Sequence, residues 1–489
     1  MRLPFPWLLA LVCLVGPTGC LRSSFREHHT AVDVAAFRRP DSLHVVSDAG
    51  SAASMLWQAY YTDRRLAALV DTALVRNLTL YGALLQVEKA ASYLDRSRAA
   101  RLPDLELHLT QNQQKVAHRP HPTNIHGIGL RLSNWEIDLW GRLRSTKRAA
   151  AEALLREEAT AQGVRVKLIA DVATLYYRLV GLDTKLRSVN EIIRSNASYL
   201  AEQEALLGGD PPHRPDAAQR RLPRAPMNRA DITRRDIAVE QAKAELYRAK
   251  AVRPSLESEI FVTENALNLL LGRDHGRIER SPIDEVLSEQ QLADTVRIGV
   301  PADLLRFRPD VMAAERAVRE AFHLRDAARA AAYPALTLRA AVSTEENYYA
   351  SWSDFSRSVV FNLFAGLTQP LLRGGVLRHN RRLRTIEAEQ RIAAFRQTLL
   401  GACMEVSNTL MHYKTTHATV ANLVQRYESL YRAWEYGRRL YARGQATYLD
   451  VLAAQSQLLQ TRMELSDAFI GYYTQRIALF KALGGGAAH

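Results

Sequence analysis

Two stretches of this chain repeat each other, and an internal repeat narrows the available folds more than any single motif. "KAASYLDRSRAARLPDLELHLT" (89–110) aligns with "EAFHLRDAARAAAYPALTLRAA" (320–341). In both, a helical run stops at a proline, Pro103 or Pro334, and gives way to alternating residues. Two glycine junctions follow in the same order: "NWEIDLWGRLR" (134–144) with Gly141, and "LTQPLLRGGVLR" (367–378) with Gly374 and Gly375. Each opens into a long run of helix formers. Further on, residues 228–246 align with 446–465, and "ALNLLLG" (266–272) with "ALFKALGG" (478–485). The chain reads as two related halves, each helix–strand–strand–helix–helix.

The strands alternate with period two, the signature of a sheet with unlike faces. Leu105, Leu107 and Leu109 oppose Glu106, His108 and Thr110; Ile128, Leu130 and Leu132 oppose Gly129, Arg131 and Ser133. In the second half Leu336, Leu338, Ala340 and Val342 oppose Thr337, Arg339, Ala341 and Ser343. Roughly ten residues of this pattern is the length of a tilted strand crossing a bilayer. Alternation alone fits a half-buried soluble strand equally well.

The helices carry narrow stripes at a spacing of seven. Leu168, Leu175, Leu182 and Val189 form one, with Val172, Leu179, Leu186 and Ile193 between them; Val451, Leu458, Leu465, Tyr472 and Leu479 form another. A strict heptad keeps one seam against neighbouring helices. The run from Thr146 to Leu207 predicts a helix about 90 Å long. That length suits a rod or a wall. Four strands do not close a barrel, and open sheet edges are not tolerated in hydrocarbon. If the strands span a membrane, several chains must pool them, since small closed barrels need about eight strands or more. Gly141, Gly374 and Gly375 then mark where membrane strands turn into helices continuing the same wall.

No apolar run of 18 or more residues follows the N-terminus, so no transmembrane helix is expected, whereas a β-barrel leaves no such run. The opening "MRLPFPWLLALVCLVGPTGC" reads as an export signal. Gly19-Cys20 resembles a bacterial lipobox, in which Cys20 is lipidated and becomes the mature N-terminus. Pro17 stands where an aliphatic residue is usual, so cleavage without lipid is the other reading; lipidation is the one taken forward. Cys403 is then the one thiol of the folded body, and no disulfide forms within a chain.

The formal charge of +14 raises the question of nucleic acid. The basic residues are interleaved with Glu and Asp, as in "AEALLREEATAQGVRVK", with no recognition-helix, zinc or RNA-binding pattern. A solvated helical surface is the preferred reading, with no nucleic-acid partner. There is no Ser nucleophile elbow, phosphate-cradling glycine loop or His-Glu-x-x-His motif, and neither enzyme activity nor a cofactor is expected. His118, His121 and His126 cluster between two strands; flanking prolines make their spacing irregular, so a metal site is not the favoured reading. Arg131 and Arg339 face the supposed lumen, where they are read either as favouring anions or as solvated structural residues.

"NWEIDLWGRLR", "PADLLRFRPDVMAAE" (301–315), "LTQPLLRGG" (367–375), "YARGQATYLDVLAAQ" (441–455) and "ALFKALGGG" (478–486) together resemble the TolC-like outer-membrane factor family, in its lipidated multidrug-efflux branch. "WQAYYTDRRLAALVDTALVRN" (57–77) resembles that family's opening helix. The resemblance covers nearly the whole mature chain in the expected order. It implies an α+β fold: a homotrimer with a twelve-stranded barrel, four strands per chain, continuous with a long α-helical periplasmic barrel. It also implies an outer-membrane exit duct served by a periplasmic adaptor protein and an inner-membrane efflux pump, without catalysis. The expected organisation is a signal peptide over 1–19 and an N-terminal segment with a first helix over 20–98. A membrane hairpin over 99–141 leads into a helical hairpin over 142–272. A linker and helix over 273–331, a second membrane hairpin over 332–375 and a helical hairpin over 376–489 complete the chain.

The resemblance also implies a gate at the periplasmic tip, carried here by Tyr441, Gly444, Tyr448 and Asp450, with Asp231 at the tip of the first repeat. Gly444 suits a helix-ending turn, and Asp450 suits the start of the returning helix; capping and gating stay open as roles for it. Some members have a second acidic residue one turn on, where this chain has Ala453, and an arginine of some tips is absent near Ala446. The first tip carries an extra segment, "GGDPPHRPDAAQRRLPRAPMN" (208–228), whose five prolines exclude a helix. It is read as a tolerated insertion or as a docking loop for the adaptor or pump. The outer component of type I protein secretion, a metal-cation exporter, and a soluble periplasmic coiled-coil scaffold are the competing readings.

Overall fold

A computed structural model describes residues 57–61, 63–114, 123–207, 229–283, 307–346 and 359–485. In order these form α1 (Trp57–Tyr60), α2 (Arg64–Arg76), α3 (Leu78–Ala99), β1 (Leu105–Gln114), β2 (Thr123–Ile137), α4 (Arg142–Leu207) and α5 (Arg229–Leu270). The second half supplies α6 (Pro309–Ala330), β3 (Ala335–Glu346), β4 (Val359–Thr368), α7 (Val376–Ala442) and α8 (Tyr448–Ala482). The chain divides into two compact units.

Ala90–Arg156 and Ala314–Thr398 belong to the first unit. Its strands make one antiparallel sheet in the order β1-β2-β3-β4. The β2–β3 pair joins the two repeats, from His126 opposite Glu346 to Ile137 opposite Leu336. Because every pair is antiparallel, α3 and α6 enter, and α4 and α7 leave, at one end of the sheet. Beside that end, Arg156 binds Glu320 at 3.0 Å and Arg316 binds Glu152 at 3.2 Å, a reciprocal link between α4 and α6.

β2 departs from simple alternation. Its register against β3 shifts between Leu132 and Trp135, and Asn134 has a positive φ of 41°. This bulge moves the apolar positions from even numbers (Ile128, Leu130, Leu132) to odd ones (Trp135, Ile137), keeping both sets on one face.

The second unit contains Val34–Lys89, Glu157–Ala313 and Leu399–His489. Leu66, Val70, Val172, Tyr176, Leu179, Leu267, Leu271 and Phe480 are fully buried in its main cluster. The α4 stripe points inward at Leu168, Val172, Leu179, Leu182 and Val189. Burial of a leucine-sized side chain contributes about 2 kcal/mol, so these stripes supply much of the stability. Asp63 caps α2, accepting from the amides of Arg65 at 2.8 Å and Leu66 at 3.2 Å and from the Tyr176 hydroxyl at 2.6 Å.

Three helices have features beyond those read from the sequence. The first helix is broken at Asn77, whose side chain accepts from Leu80 N and donates to the Leu270 carbonyl, both at 2.9 Å, with a bend of 45°. Helix α4 starts at Arg142, directly after Gly141, and runs 66 residues. Helix α5 runs 42 residues with Pro254 inside it. No single helix among the described residues is long and apolar enough to cross a membrane.

Candidate duct wall, junctions and tip

The sheet has one apolar and one polar face. Cross-strand register puts Leu105, Leu107 and Leu109 beside Leu132, Leu130 and Ile128, and continues through Ala340 and Val342 to Leu363 and Phe361. This apolar face is uncovered: Leu107 is 64% exposed, Phe361 63% and Leu363 63%. A contiguous apolar surface of this kind marks a lipid or protein contact. On the other face Arg131 pairs with Glu106 at 3.1 Å. Arg339 donates to the Asn134 side chain there and lies over the Phe364 ring. Both arginines therefore lie on the side away from the exposed leucines. Among the described residues β1 and β4 each pair on one side only, leaving their outer backbone edges open.

At the first junction Gly141 takes φ 79°, where an L side chain is strained. Asp138 accepts from the amides of Leu143 at 3.2 Å and Arg144 at 2.8 Å, closing the first turn of α4. Arg142 grips Glu136 with two bonds, at 2.9 and 2.5 Å. Trp140 donates to the Pro334 carbonyl at 2.7 Å and stacks on Tyr333 at 5.0 Å between ring centres. The second junction has Gly374 and Gly375 at φ 55° and 79°, and no acidic residue in the first turn of α7.

At the tip, Gly444 has φ 73° and donates to the Tyr441 carbonyl at 2.9 Å, while Gln445 donates to the Leu440 carbonyl at 2.9 Å. This is a Schellman termination of α7, which needs a left-handed residue at Gly444. Helix α8 begins after Thr447, whose amide (3.0 Å) and hydroxyl (2.7 Å) both donate to the Asp450 carboxylate. The Thr447 hydroxyl, then its amide, hold the Asp450 carboxyl below its ordinary value. Tyr448 is buried, stacked parallel on Tyr199 and edge-on to Tyr441. The structure thus brings Tyr441, Gly444, Tyr448 and Asp450 together. Asp231 is the third residue of α5, as Asp450 is the third of α8; its side chain lies outside the described residues. So do Cys20, the signal peptide expected over 1–19, the 208–228 segment, and the side chains of His118, His121 and His126. No group of three or more metal-binding side chains occurs among the described residues.

Arg308, within "RFRPDV", has a role that the sequence alone does not reveal. It is buried, and its guanidinium donates to Asp310 at 3.0 and 2.8 Å, to Glu405 at 2.6 Å and to the Ala482 carbonyl at 2.8 Å. One side chain thereby ties the start of α6 to α7 and to the end of α8. An arginine and a carboxylate two residues apart beside a helix-starting proline was the available signal.

An open sheet with an outward apolar face, turned by glycines into long helices at one end, defines a subunit of a membrane channel. The chain belongs to the outer membrane efflux protein family, whose model matches residues 69–249 and 300–485. It is 30% identical to the outer membrane protein OprJ of Pseudomonas aeruginosa over 445 residues, covering 88% of this chain and 86% of that protein. It is 26% identical to the cation efflux system protein CusC of Escherichia coli over 432 residues, covering 88% of each. The crystal structure of the open state of the Neisseria gonorrhoeae MtrE outer membrane channel matches with a TM-score of 0.78 at 24% identity, over 91% of this chain and 94% of that one. The protein is an outer-membrane efflux channel component.

Proposed function

We propose that three copies assemble into a passive exit duct of a tripartite efflux system, conducting small molecules to the exterior from an inner-membrane pump through a periplasmic adaptor. The supporting observation is the sheet: an uncovered apolar face with open edges at β1 and β4. Such edges are costly in lipid unless paired. Three copies of four strands give a twelve-stranded closed barrel, with the hairpins of 99–141 and 332–375 in the membrane and the polar face, including Arg131 and Arg339, toward the lumen. Cys20 carries the lipid anchor.

In this reading Asp450 serves twice. It caps α8 through Thr447, and three copies form an acidic ring at the periplasmic tip, with Asp231 at the first-repeat tip. The 208–228 segment docks on the adaptor or pump; deleting it without loss of assembly or export rules that role out.

Deleting the gene tests the reading directly. Sensitivity to many small toxic molecules, together with pores formed by the purified protein in planar bilayers, is the expected result. The similarity to a cation efflux system protein makes sensitivity confined to metal cations the alternative outcome. Retention of an unsecreted polypeptide would instead place the duct in type I secretion, and absence of pores would indicate a soluble scaffold.

A further inference from the structure

The two strand–helix junctions are related by the repeat but differ in charge. The first carries Glu136 and Asp138 before Gly141 and four basic residues after it, Arg142, Arg144, Lys147 and Arg148. Its acids are engaged, Glu136 by Arg142 and Asp138 by the amides of Leu143 and Arg144. The second has five arginines between 373 and 384, and no Asp or Glu anywhere from 355 to 386. Among the described residues only Arg384 of the five has an ion pair, with Glu387 at 2.8 Å. Arg373, Arg378, Arg381 and Arg382 are exposed and have no side-chain partner among the described residues.

Nothing in α7 itself accounts for these cations. They occupy the beginning of the helix, where the dipole disfavours positive charge. Arg378, Arg381 and Arg382, spaced by three and four, share one side of it. Immediately before them, Leu371 and Leu372 are 85% and 96% exposed. Beside them lies a cleft of ≈ 300 Å³ lined by Trp140, Tyr333, Pro370, Arg373 and Leu377, with the Trp140–Tyr333 stack as one wall. The cleft's carboxylates, Glu136 and Asp138, are the engaged pair of the first junction. Exposed leucines, interfacial Trp and Tyr, and unpaired arginines in succession match the order met on leaving a bilayer: acyl chain, headgroup boundary, phosphate.

We infer that the second junction, Leu371–Arg382 with the Trp140–Tyr333 cleft, binds anionic glycerophospholipid in the leaflet on the helical side of the membrane. The inference rests on the reading of the sheet as membrane-spanning. The lipid phosphate lies on Arg378, Arg381 and Arg382, and the acyl chains follow Leu371 and Leu372 onto the exposed apolar face of the sheet. The first junction, where Glu136 and Asp138 offset two of its four cations and Arg142 is held by Glu136, has a weaker preference.

The test reconstitutes the full-length protein and R378Q/R381Q/R382Q in phosphatidylcholine vesicles containing a minor fraction of phosphatidylglycerol. Pore conductance is recorded in the same vesicles, and lipids retained on extraction are read by native mass spectrometry. The wild type enriches phosphatidylglycerol, and the triple variant does so roughly 10²-fold less, about 1 kcal/mol for each arginine, while its pores persist. R378K/R381K/R382K retains the enrichment, and R381Q alone, read if the triple variant does not assemble, loses about five-fold. Equal enrichment in wild type and glutamine variants, with pores present, overturns the inference and leaves the channel intact. Absence of pores from the wild type overturns the spanning reading and the inference with it. Two further results also overturn the inference: dissociation of subunits in the glutamine variants at unchanged lipid enrichment, which assigns the arginines to a second copy, and displacement of the lipid by equimolar inorganic phosphate.

Discussion

Asn134 accepts a hydrogen bond from the Arg339 guanidinium where β2 and β3 fall out of register. Ser133 and Asn134 together oppose Arg339, and the extra residue is accommodated by the positive φ of Asn134. The bond ties the bulge to a polar-face residue of the other repeat. Without the bulge, Trp135 and Ile137 would turn to the polar face, because a one-residue slip inverts every side chain beyond it.

Asn134→Val is expected to destabilise the sheet by about 1–2 kcal/mol, since a β-branched residue is strained at positive φ. Asn134→Gly keeps the backbone at little cost and loses only the side-chain bond. Thermal unfolding in detergent, compared between the two variants, checks this; equal losses would contradict it.

The bulge also shows where the sequence was legible. Helix–strand order, the glycine junctions and the stripes at Leu168, Val172 and Leu179 follow from period and turn chemistry, which are local. The parity change was present as Leu132 followed by Trp135 and Ile137, but alternation assumed without a break hides it. The break at Asn77 depends on the Leu270 carbonyl, 193 residues away, and Pro254 stays within α5 because a long packed helix tolerates one missing bond. The tip residues were found through a family pattern; the Thr447 donors that fix Asp450 needed coordinates. Arg308 was in view, but its partners Glu405 and Ala482 are distant in the chain.

The two faces of the sheet respond differently to charge. Leu363→Arg places a guanidinium on the apolar face and is expected to oppose insertion by about 2–4 kcal/mol per chain near the bilayer midplane. Arg131→Gln on the other face leaves insertion intact and shifts the reversal potential in a salt gradient toward cations. Insertion yield into vesicles and planar-bilayer recordings check the pair; equal insertion of both variants would contradict the assigned faces.

Arg308→Met removes the common donor to Asp310, Glu405 and the Ala482 carbonyl, stranding partly buried acceptors. Only the arginine is buried, while Asp310 and Glu405 keep 49% and 39% side-chain exposure; water recovers part of the loss, and about 1–3 kcal/mol is expected. The double variant R308M/E405L is expected to recover part of that loss. Chemical denaturation of the three proteins measures it, and a loss below about 1 kcal/mol would show the contact to be incidental.

At the tip, the Asp450 carboxyl titrates below its ordinary value because the Thr447 hydroxyl and amide stabilise its ionised form. For a carboxylate depressed on folding, the stabilisation is complete above the unfolded value of about 3.9 and is lost as pH falls through the lower folded value. The α8 start is therefore expected to keep its amide protection at pH 5 and above, and to lose it only in acid below about 4. Thr447→Ala moves the loss to higher pH, and Gly444→Ala weakens the same turn by roughly 1 kcal/mol at all pH values. Hydrogen exchange of residues 440–452 against pH checks all three; protection indifferent to pH down to 2 would contradict the cap.

Pooling of strands between chains is the central claim, and subunit stoichiometry in the membrane tests it most directly. Native mass spectrometry of protein released from vesicles that conduct ions is expected to show three chains in every conducting species. A water-soluble monomer that does not enter lipid, or a conducting species of one chain, would contradict it.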